Sequence, residues 1–538
     1  MKRLVITTIN SKFIHSSLAV WILAEAVAQR AKCEYFIDVL EYTIKHEIDE
    51  IVAEIATKRP DVVAVSTYIW NSAHVDKLLP ALKSALPETI VILGGPEALK
   101  GKDYWISKGA DHVIFGEGEY LLPELLDSIS GERNNECSEY RDDSNYGDYK
   151  CSELIDPYTE KYLSALDGKI AYIETSRGCS FSCEFCLSGE DELRYYDLRA
   201  AKSRILKLIN SNARMIKFVD RTFNIDCERT FELIEYILKL DTDKCVHFEV
   251  SPDLFDEKCL SLLKTATPGK IQLEAGLQSF HEPALRAVRA MTNLKKSEAV
   301  LREIIQENNI HVHVDLIAGL PYEGLIEFNN SFNRAFNLEA HCLQLGFLKS
   351  LYGSKLRERA DELGMYFASA PPYEIIKSRW LSPEDITVLK TAENALNNTY
   401  NKHRFLLTIK YMLEVSGLSP FSFFYSLGKA VPNHGMQLQE YADELYLFFK
   451  NQQGVDIAKL CDVMKCDWLS MVKGKNKPDF MSVCNKMYNQ LYNKACALFG
   501  RKIRKTEVTV LSTGLGVVVD SLSRDPITSL FLLHYVDF

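Results

Sequence analysis

Short apolar runs rich in β-branched residues alternate with amphipathic stretches over the first 130 residues. The apolar runs lie at residues 4–8, 34–39, 62–66, 90–93 and 112–115. The amphipathic stretches include residues 17–29, 48–57 and 73–85. Strands that alternate with helices are typical of a doubly wound parallel sheet. The pattern therefore predicts a flavodoxin-like α/β domain with five parallel strands over residues 1–130.

Polar residues and glycines follow four of these predicted strands. Ligands of such sheets bind beyond the carboxyl ends of the strands, and glycines let a large ligand approach the backbone closely. The candidate binding residues are Asn10 and Ser16 after the first strand, Ser66, Thr67, Tyr68, Trp70 and Asn71 after the third, Gly94, Gly95, Pro96 and Glu97 after the fourth, and Gly116, Glu117, Gly118 and Glu119 after the fifth.

The remaining chain divides into three further segments. Residues 131–168 are polar and dense in charge, which is typical of a linker. Over residues 169–355, six predicted strands near positions 170, 215, 246, 271, 312 and 343 are separated by helical stretches. Six βα units predict a partial (β/α)6 barrel whose functional loops follow its strands. Residues 356–538 have a mainly helical pattern and are expected to form an α-rich C-terminal domain.

Composition excludes several classes of protein. A chain of 538 residues with 47% hydrophobic residues can bury several cores, which excludes a small interaction module and a largely disordered protein. The net charge of −10 disfavours binding to polyanions except at a local basic patch. No apolar run approaches the roughly 18 residues that cross a bilayer. We expect a cytoplasmic protein whose 14 cysteines are reduced.

Three of those cysteines, Cys179, Cys183 and Cys186, lie within eight residues after the first strand of the second series. Their spacing lets one loop offer three thiolates to a four-iron cluster, which leaves one iron open. An open iron can bind S-adenosylmethionine (SAM) and pass one electron to its sulfonium bond, which yields a 5′-deoxyadenosyl radical. A chance loop and a zinc site with a distant fourth ligand are the alternatives. Arg177-Gly178 before the motif and the position at a strand end favour the cluster.

The cysteine motif and the downstream strand ends resemble those of the radical SAM superfamily. The resemblance implies that Phe185 packs over the cluster and that polar groups after the later strands contact SAM. The residues that it assigns are Asp220, Thr222 and Asn224 after the second strand, Glu249 and Ser251 at the third, Gln278 and Ser279 at the fourth, and Asp315, Gly319 and Leu320 at the fifth.

The order of the domains indicates a particular group within this superfamily. A flavodoxin-like domain before a radical SAM barrel resembles the cobalamin-dependent radical SAM enzymes, and the segment 345–356 with the α-rich tail resembles their DUF4080 subgroup. The implied cofactors are a [4Fe–4S] cluster, SAM and cobalamin. The sequence lacks the Asp-x-His-x-x-Gly motif that supplies a lower axial histidine to cobalt. His15 is the one nearby alternative, and the loops 10–15 or 67–70 are expected to cover the lower corrin face.

The resemblance implies a methyltransferase that acts on an unactivated carbon through the 5′-deoxyadenosyl radical and methylcobalamin. A related enzyme that performs cyclisation, ring contraction or another radical rearrangement is the alternative, and a cobalamin and iron–sulfur sensor or electron-transfer protein is a remote one. The expected partners are an external electron donor such as flavodoxin or ferredoxin, and a small-molecule, peptide or RNA substrate. No membrane partner is expected.

Several other residues have two possible interpretations. His311 and His313 face the same side of one predicted strand and could form a metal pair or a polar lining. Glu274 and Asp315 could bind substrate or the SAM ribose, or form ion pairs. Tyr322 and Tyr352 could contact substrate. The tail carries a basic cluster that fits a solvated helical face or an anionic partner: Lys473, Lys475, Lys477, Lys486, Lys494, Arg501, Lys502, Arg504 and Lys505.

Overall fold

The computed structural model describes residues 1–130, 139–141, 155–189, 191–472, 478–481, 485–504 and 507–537. These residues form two compact units. The first contains Met1–Leu262, Val288–Ala290 and Leu348–Ile376, and the second contains Leu263–Ala287, Met291–Phe347 and Lys377–Phe538. None of the helices in the described ranges combines the length and the apolar character needed to cross a membrane.

The first unit opens with a parallel sheet of six strands in the order β2-β1-β3-β4-β5-β6. Its strands are β1 (Lys2–Asn10), β2 (Tyr35–Thr43), β3 (Val62–Ser66), β4 (Ile90–Gly94), β5 (His112–Phe115) and β6 (Glu139–Arg141). Its helices are α1 (Leu18–Arg30), α2 (Ile48–Thr57), α3 (Ser72–Ala85), α4 (Lys102–Ser107) and α5 (Gly118–Ser130). Every residue of β3 is buried, as expected for a strand covered on both faces.

The five predicted strands are present, but the prediction missed β6, which pairs with β5. This strand lies in the segment expected to be a linker, and a strand of three residues is too short to produce a periodic signal. The same segment contains helix α6 (Glu160–Ala165), in which Tyr162 is fully buried and stacks on Trp21. Residues 131–138 and 142–154 of the expected linker lie outside the described residues.

A second series of elements completes the first half of the chain. It comprises β7 (Ile170–Ile173), β8 (Ser176–Arg177), β9 (Arg194–Tyr195), α7 (Leu198–Ile209), β10 (Met215–Phe218), α8 (Cys227–Lys239), β11 (Cys245–Val250) and α9 (Glu257–Lys264). Strand β10 pairs in parallel with both β7 and β11. The short strands β8 and β9 instead pair with each other in antiparallel fashion.

The second unit begins with three parallel strands and their helices. The elements are β12 (Ile271–Gln278), α10 (Glu282–Ala287), α11 (Leu294–Glu307), β13 (His311–Ala318), α12 (Leu325–Phe336) and β14 (Cys342–Phe347). The chain then returns to the first unit with α13 (Lys355–Glu358), β15 (Tyr366–Phe367) and β16 (Ile375–Lys377). All six strands predicted for the second series are therefore present.

The C-terminal region is helical, as predicted, but it ends in a sheet that the prediction missed. Its helices are α14 (Pro383–Asn398), α15 (Leu406–Ser416), α16 (Pro420–Ala430), α17 (Leu438–Phe449), α18 (Ile457–Met471) and α19 (Asn485–Leu498). The sheet is antiparallel and contains β17 (Val508–Val510), β18 (Gly516–Arg524) and β19 (Phe531–Val536). Val508 and Val518 pack with Leu491 of α19 in one apolar cluster, which explains why these β-branched runs form strands.

Candidate cofactor site

A hairpin closes the loop that carries the three cysteines. Strand β8 enters the loop and β9 leaves it, with Arg177 opposite Arg194. Two glycines allow the tight path between them. A Cβ atom on Gly178, whose φ is +84°, would lie 2.2 Å from the Glu192 carbonyl oxygen, and one on Gly189 would lie 2.6 Å from the Cys183 carbonyl oxygen. Gly178, directly before Cys179, is therefore required by the shape of the loop.

The three thiols are half-buried and influence one another. Burial, followed by the neighbouring Cys186 and Cys179, raises the pKa of the Cys183 thiol to about 12. Burial also raises the pKa of the Cys186 thiol. The Cys179 sulfur lies 3.7 Å from the Thr222 hydroxyl and accepts a hydrogen bond of 3.5 Å from the Phe181 N–H. Three thiols converging in one loop fit an iron–sulfur cluster, because cluster binding holds such groups as thiolates.

Arg177 connects the cysteine hairpin to the glycine-rich turn after β5. Its guanidinium donates to both carboxylate oxygens of Glu174 at 2.9 and 2.8 Å, and its Nη1 lies 2.6 Å from Glu119 and 3.0 Å from Glu117. Glu117 also forms an ion pair with Arg194. Burial alone would raise the pKa of Glu174, but the charge and hydrogen bonds of Arg177 outweigh burial and lower it.

A buried carboxylate inside the cysteine loop forms two further ion pairs. Glu184, between Cys183 and Cys186, is 3% exposed and forms ion pairs with Arg289 and Arg359. Its backbone N–H donates to the Val288 carbonyl oxygen at 2.9 Å. Two cations and a backbone bond therefore fix the middle of the loop.

A cavity of about 980 Å³ lies in the first unit between the carboxyl end of the N-terminal sheet and the cysteine hairpin. Its volume is at the upper end of the roughly 300–1,000 Å³ that is typical of ligand pockets. The lining residues that the sequence predicted are Ser66, Tyr68, Gly94, Gly95, Pro96, Gly116, Glu117, Gly118 and Glu119. The hairpin side contributes Arg177, Leu187, Ser188, Asp191, Glu192, Arg194 and Arg221. One cavity therefore borders both predicted cofactor regions.

Other residues predicted at this sheet end have supporting roles instead of lining the cavity. Thr67 is fully buried, and its carbonyl oxygen would lie 2.5 Å from a Cβ atom on Gly95. Asn71 accepts a hydrogen bond from the Tyr68 N–H at 2.7 Å. Glu97 accepts one of 2.8 Å from the Tyr373 hydroxyl. Trp70, which is exposed, stacks on Tyr68 with ring centroids 4.4 Å apart.

The loop after β1 contacts the second series of elements, not the cavity. His15 Nδ1 lies 2.7 Å from the Tyr172 hydroxyl, and the Ser16 hydroxyl donates to the Ile170 carbonyl oxygen at 2.9 Å. Asn10 donates to Glu41 at 2.7 Å. None of these three residues lines the cavity, whereas Tyr68 of loop 67–70 does. That loop 10–15 or loop 67–70 covers the lower corrin face stays a prediction. No histidine is among the residues that line the cavity in the described part of the chain.

Residues predicted after β10 and β11 form a buried hydrogen-bond network. Asp220 accepts hydrogen bonds from the Thr175 N–H and hydroxyl at 2.7 and 2.6 Å, so it holds the entry to the cysteine hairpin. The Asn224 side-chain amide donates to the Ser251 carbonyl oxygen at 2.8 Å and accepts from the Ser251 N–H at 2.9 Å. Glu249 lies 3.5 Å from Lys217.

The remaining predicted residues lie in the second unit. Ser279 is fully buried and donates a hydrogen bond of 2.5 Å to Glu323. Gln278 has a positive φ of 65° at an irregularity in the pairing of β12 with β13. Gly319 has a φ of +99°, and Leu320 is fully buried. Asp315 belongs to a cluster with Glu274 and His313.

Some predicted residues have structural contacts of their own. Tyr322 stacks on Trp380 with ring centroids 4.7 Å apart, and Tyr352 lies under the Arg357 guanidinium at 3.6 Å. In the C-terminal basic cluster, Arg501 forms an ion pair with Asp520 and Lys494 donates to the Asp537 carbonyl oxygen at 2.8 Å. Lys473, Lys475, Lys477 and Lys505 lie outside the described residues, as does the side chain of Lys486.

Sequence reasoning missed the contributions of Glu174, Glu184 and Arg194. Glu174 and Glu184 stand inside the segment that carries the cysteines, but their partners are up to 175 residues away in the chain. The only available signal was charge inside a predicted cofactor loop, which does not identify a partner.

Three family descriptions match consecutive parts of the chain. "B12 binding domain" matches residues 4–126, "Radical SAM superfamily" matches 173–335, and "Protein of unknown function (DUF4080)" matches 361–512. Together with the fold, these matches give the chain B12-binding, radical SAM and DUF4080 domains in this order, and the first two occur together in the class of cobalamin-dependent radical SAM enzymes. The [4Fe–4S] cluster, SAM and cobalamin predicted from the sequence are the cofactors of that class, and the predicted α/β fold class is confirmed.

Individual relatives share part of this chain. The cobalamin-dependent radical SAM methyltransferase TokK of Streptomyces tokunonensis is 24% identical over 315 residues, 52% of this chain and 46% of TokK. The anaerobic magnesium-protoporphyrin IX monomethyl ester cyclase of Rubrivivax gelatinosus is 23% identical, over 51% of this chain and 54% of its own. The chain thus spans about half the length of the curated relatives it matches.

A solved structure extends the similarity of fold further along the chain. The cobalamin-dependent S-adenosylmethionine radical enzyme OxsB, with aqua-cobalamin and SAM bound, aligns with a TM-score of 0.59 over 86% of this chain and 78% of its own, at 13% identity. At that identity the similarity concerns the fold alone.

Proposed function

We propose that the protein is a methyltransferase that acts on an unactivated carbon with cobalamin, SAM and an iron–sulfur cluster. The observation that carries the proposal is the cavity bordered on one side by the glycine turns after β4 and β5 and on the other by the cysteine hairpin. A methyl donor and a radical generator must act on the same substrate, so their sites must be neighbours. The relative TokK is a methyltransferase by name, which supports methyl transfer as the reaction.

In this proposal Cys179, Cys183 and Cys186 hold the cluster and Phe185 packs over it. The glycine turns and Tyr68 border the corrin. When bound, the cofactors supply a carbon-centred radical and a transferable methyl group. The residues placed near SAM are Asp220, Thr222, Asn224, Glu249, Ser251, Gln278, Ser279, Asp315, Gly319 and Leu320. Residues 1–130, 169–355 and 356–538 are proposed as the three domains.

The residues of the chain fix and shield the site. Arg177 is hydrogen-bonded to Glu174 and paired with Glu119, so it holds the hairpin against the turn after β5. Asp220 holds the residues that enter the hairpin through three hydrogen bonds. A fixed boundary keeps water from a reactive radical. The absence of histidine from the described cavity lining suits a corrin without a protein ligand beneath cobalt.

A second candidate is a radical enzyme that binds the same cofactors and performs ring formation or rearrangement without methylation. The cyclase relative from Rubrivivax gelatinosus favours it, because its identity and coverage are close to those of TokK. Both candidates need an external one-electron donor, such as flavodoxin or ferredoxin. The substrate is a small molecule, a peptide or an RNA in either case.

The test uses the full chain, reconstituted anaerobically with iron, sulfide and cobalamin, and given SAM that carries a deuterated methyl group. Once a low-potential reductant is added, we expect 5′-deoxyadenosine, S-adenosylhomocysteine and deuterium on the protein-bound corrinoid, because only a reduced cluster cleaves SAM and only Co(I) accepts its methyl group. The matched control is Cys183→Ala, which should lose 5′-deoxyadenosine. Formation of 5′-deoxyadenosine with no label on the corrinoid would favour the second candidate. Failure to form either product would refute both.

A further inference from the structure

A cluster of ligating side chains lies on one face of β12, β13 and β14, apart from the cysteine hairpin in sequence. The residues of these strands alternate between buried apolar and half-buried polar positions. In the strand register, Glu274 pairs with His313 and His313 pairs with Cys342, so the three stand in one row. Asp315 lies two residues further along β13 and therefore points to the same face.

The ligating atoms of Glu274, His313 and Asp315 all lie within 4.8 Å of one another. His313 Nε2 is 2.7 Å from Asp315 Oδ1, and His313 Nδ1 is 4.0 Å from Glu274 Oε2. His313 Nε2 and Asp315 Oδ1 are buried, and the 2.7 Å between them is the distance of an ion pair, which a bound metal ion would replace. Two lone-pair donors that lie side by side in this way can share a cation.

Asp315 pairs in register with Gly276 on β12 and with Gln344 on β14, and both of these residues are exposed. A Cβ atom on Gly276 would lie 2.4 Å from Gln278 Nε2, so the Gln278 amide lies beside this row. Three protein ligands are typical of a metal site that keeps a coordination position for water or a substrate oxygen.

We propose that Glu274, His313 and Asp315 bind one divalent transition-metal ion, with zinc the best match to one imidazole nitrogen and two carboxylate oxygens. In a tetrahedral site, ligands at about 2.0–2.2 Å from the metal lie about 3.3–3.6 Å from one another, so His313 and Asp315 must separate and Glu274 must approach them. The sequence left His311 and His313 open as a metal pair or a polar lining. His311 instead stacks on His341 with ring centroids 5.2 Å apart, and it is not a member of the cluster.

The test measures zinc in the full chain after anaerobic reconstitution of the iron–sulfur cluster, exposure to zinc and dialysis. We expect one zinc ion per chain in the wild type. His313→Ala and the near-isosteric Asp315→Asn should each lower the retained zinc at least tenfold. His311→Ala, two residues away on the same face, is the matched control and should retain zinc. X-ray absorption at the zinc edge should show nitrogen and oxygen ligands near ~2.0–2.1 Å.

Two outcomes would overturn the proposal. Equal zinc in the wild type, His313→Ala and His311→Ala would mean that the cluster is an ion-paired group only. A zinc spectrum dominated by sulfur at ~2.3 Å would place the metal in the cysteine loop. Iron content is measured on all samples and SAM cleavage on the wild type and His313→Ala, because Asp315 is also placed near SAM, so failure of the zinc site can be told apart from failure of the proposed radical chemistry.

Discussion

Three carboxyl groups are buried beside hydroxyl and amide donors instead of cations. Burial raises the pKa of Asp220 to about 6, that of Glu323 to about 7 and that of Asp467 to about 6, although hydrogen bonds oppose each shift. In all three the donors include a hydroxyl group, from Thr175, Ser279 and Thr408 respectively. The folded chain therefore favours the neutral form of these carboxyl groups more than an unfolded chain does.

At Glu323 we expect stability to depend on pH in a defined direction. The pKa of about 7 in the folded state exceeds the value of about 4.3 in an unfolded chain, so the folded state binds more protons between these limits. Relative to Glu323→Gln, the free energy of unfolding of the wild type should fall by about 2–3 kcal/mol between pH 5 and pH 8. Chemical unfolding followed by circular dichroism measures it. A constant difference across this range would contradict the assigned pKa.

Larger side chains at position 94 test whether the cavity binds cobalamin. A Cβ atom there would meet Ile114 Cβ at 3.7 Å, an ordinary contact, whereas one on Gly95 would lie 2.5 Å from the Thr67 carbonyl oxygen. Gly94 can therefore be changed without forcing the backbone. We expect Gly94→Ala to retain most of the bound cobalamin after purification and Gly94→Leu to lose at least tenfold in affinity. Undiminished cobalamin in a folded Gly94→Leu variant would refute the placement.

At the scale of elements, the cysteine hairpin depends on charges from outside it. Arg177 is 22% exposed and its partners Glu174 and Glu119 are 18% and 9% exposed, so this is a largely buried network. Buried pairs are costly to form, but removing one member leaves an uncompensated charge. The network thus specifies one arrangement of β8 and β9 relative to the turn after β5.

We expect Arg177→Ala to lower the free energy of unfolding by about 3–5 kcal/mol, because two buried carboxylates lose their partner. The iron content after reconstitution should fall with it. Arg286→Ala is the matched control, because that arginine is 73% exposed and pairs with Glu282 on its own helix. It should change stability by less than about 1 kcal/mol. Thermal unfolding and iron analysis of both variants make the comparison, and equal behaviour would show that the network is dispensable.

Across the whole molecule, the features that the sequence predicted are those with a periodic pattern or a local motif. The five main strands of the first sheet and the loop of Cys179, Cys183 and Cys186 follow from such signals. It did not reveal β6 and α6, which are too short for a periodic pattern, or β17–β19 after a long helical region. It also missed the pairing of Glu184 with Arg359, because ion pairs that are distant in the chain depend on the completed fold.

His15 lies within hydrogen-bond distance of Tyr172 and does not line the cavity. We therefore expect the Co(II) form of bound cobalamin to lack a nitrogen ligand from the protein. Its electron paramagnetic resonance spectrum should show cobalt lines without the threefold splitting that an axial nitrogen causes. His15→Ala should leave the spectrum unchanged. A threefold splitting that disappears in this variant would mean that the histidine moves to cobalt on binding.

A cobalt anomalous-difference map from a crystal of the reconstituted full chain shows whether one cavity holds cobalamin beside the cysteine hairpin. We expect one cobalt peak inside the cavity lined by Tyr68, Gly94 and Glu117, with iron peaks at Cys179, Cys183 and Cys186 in the same crystal. Full iron peaks with cobalt outside this cavity, in a crystal whose corrinoid content is stoichiometric, would contradict it.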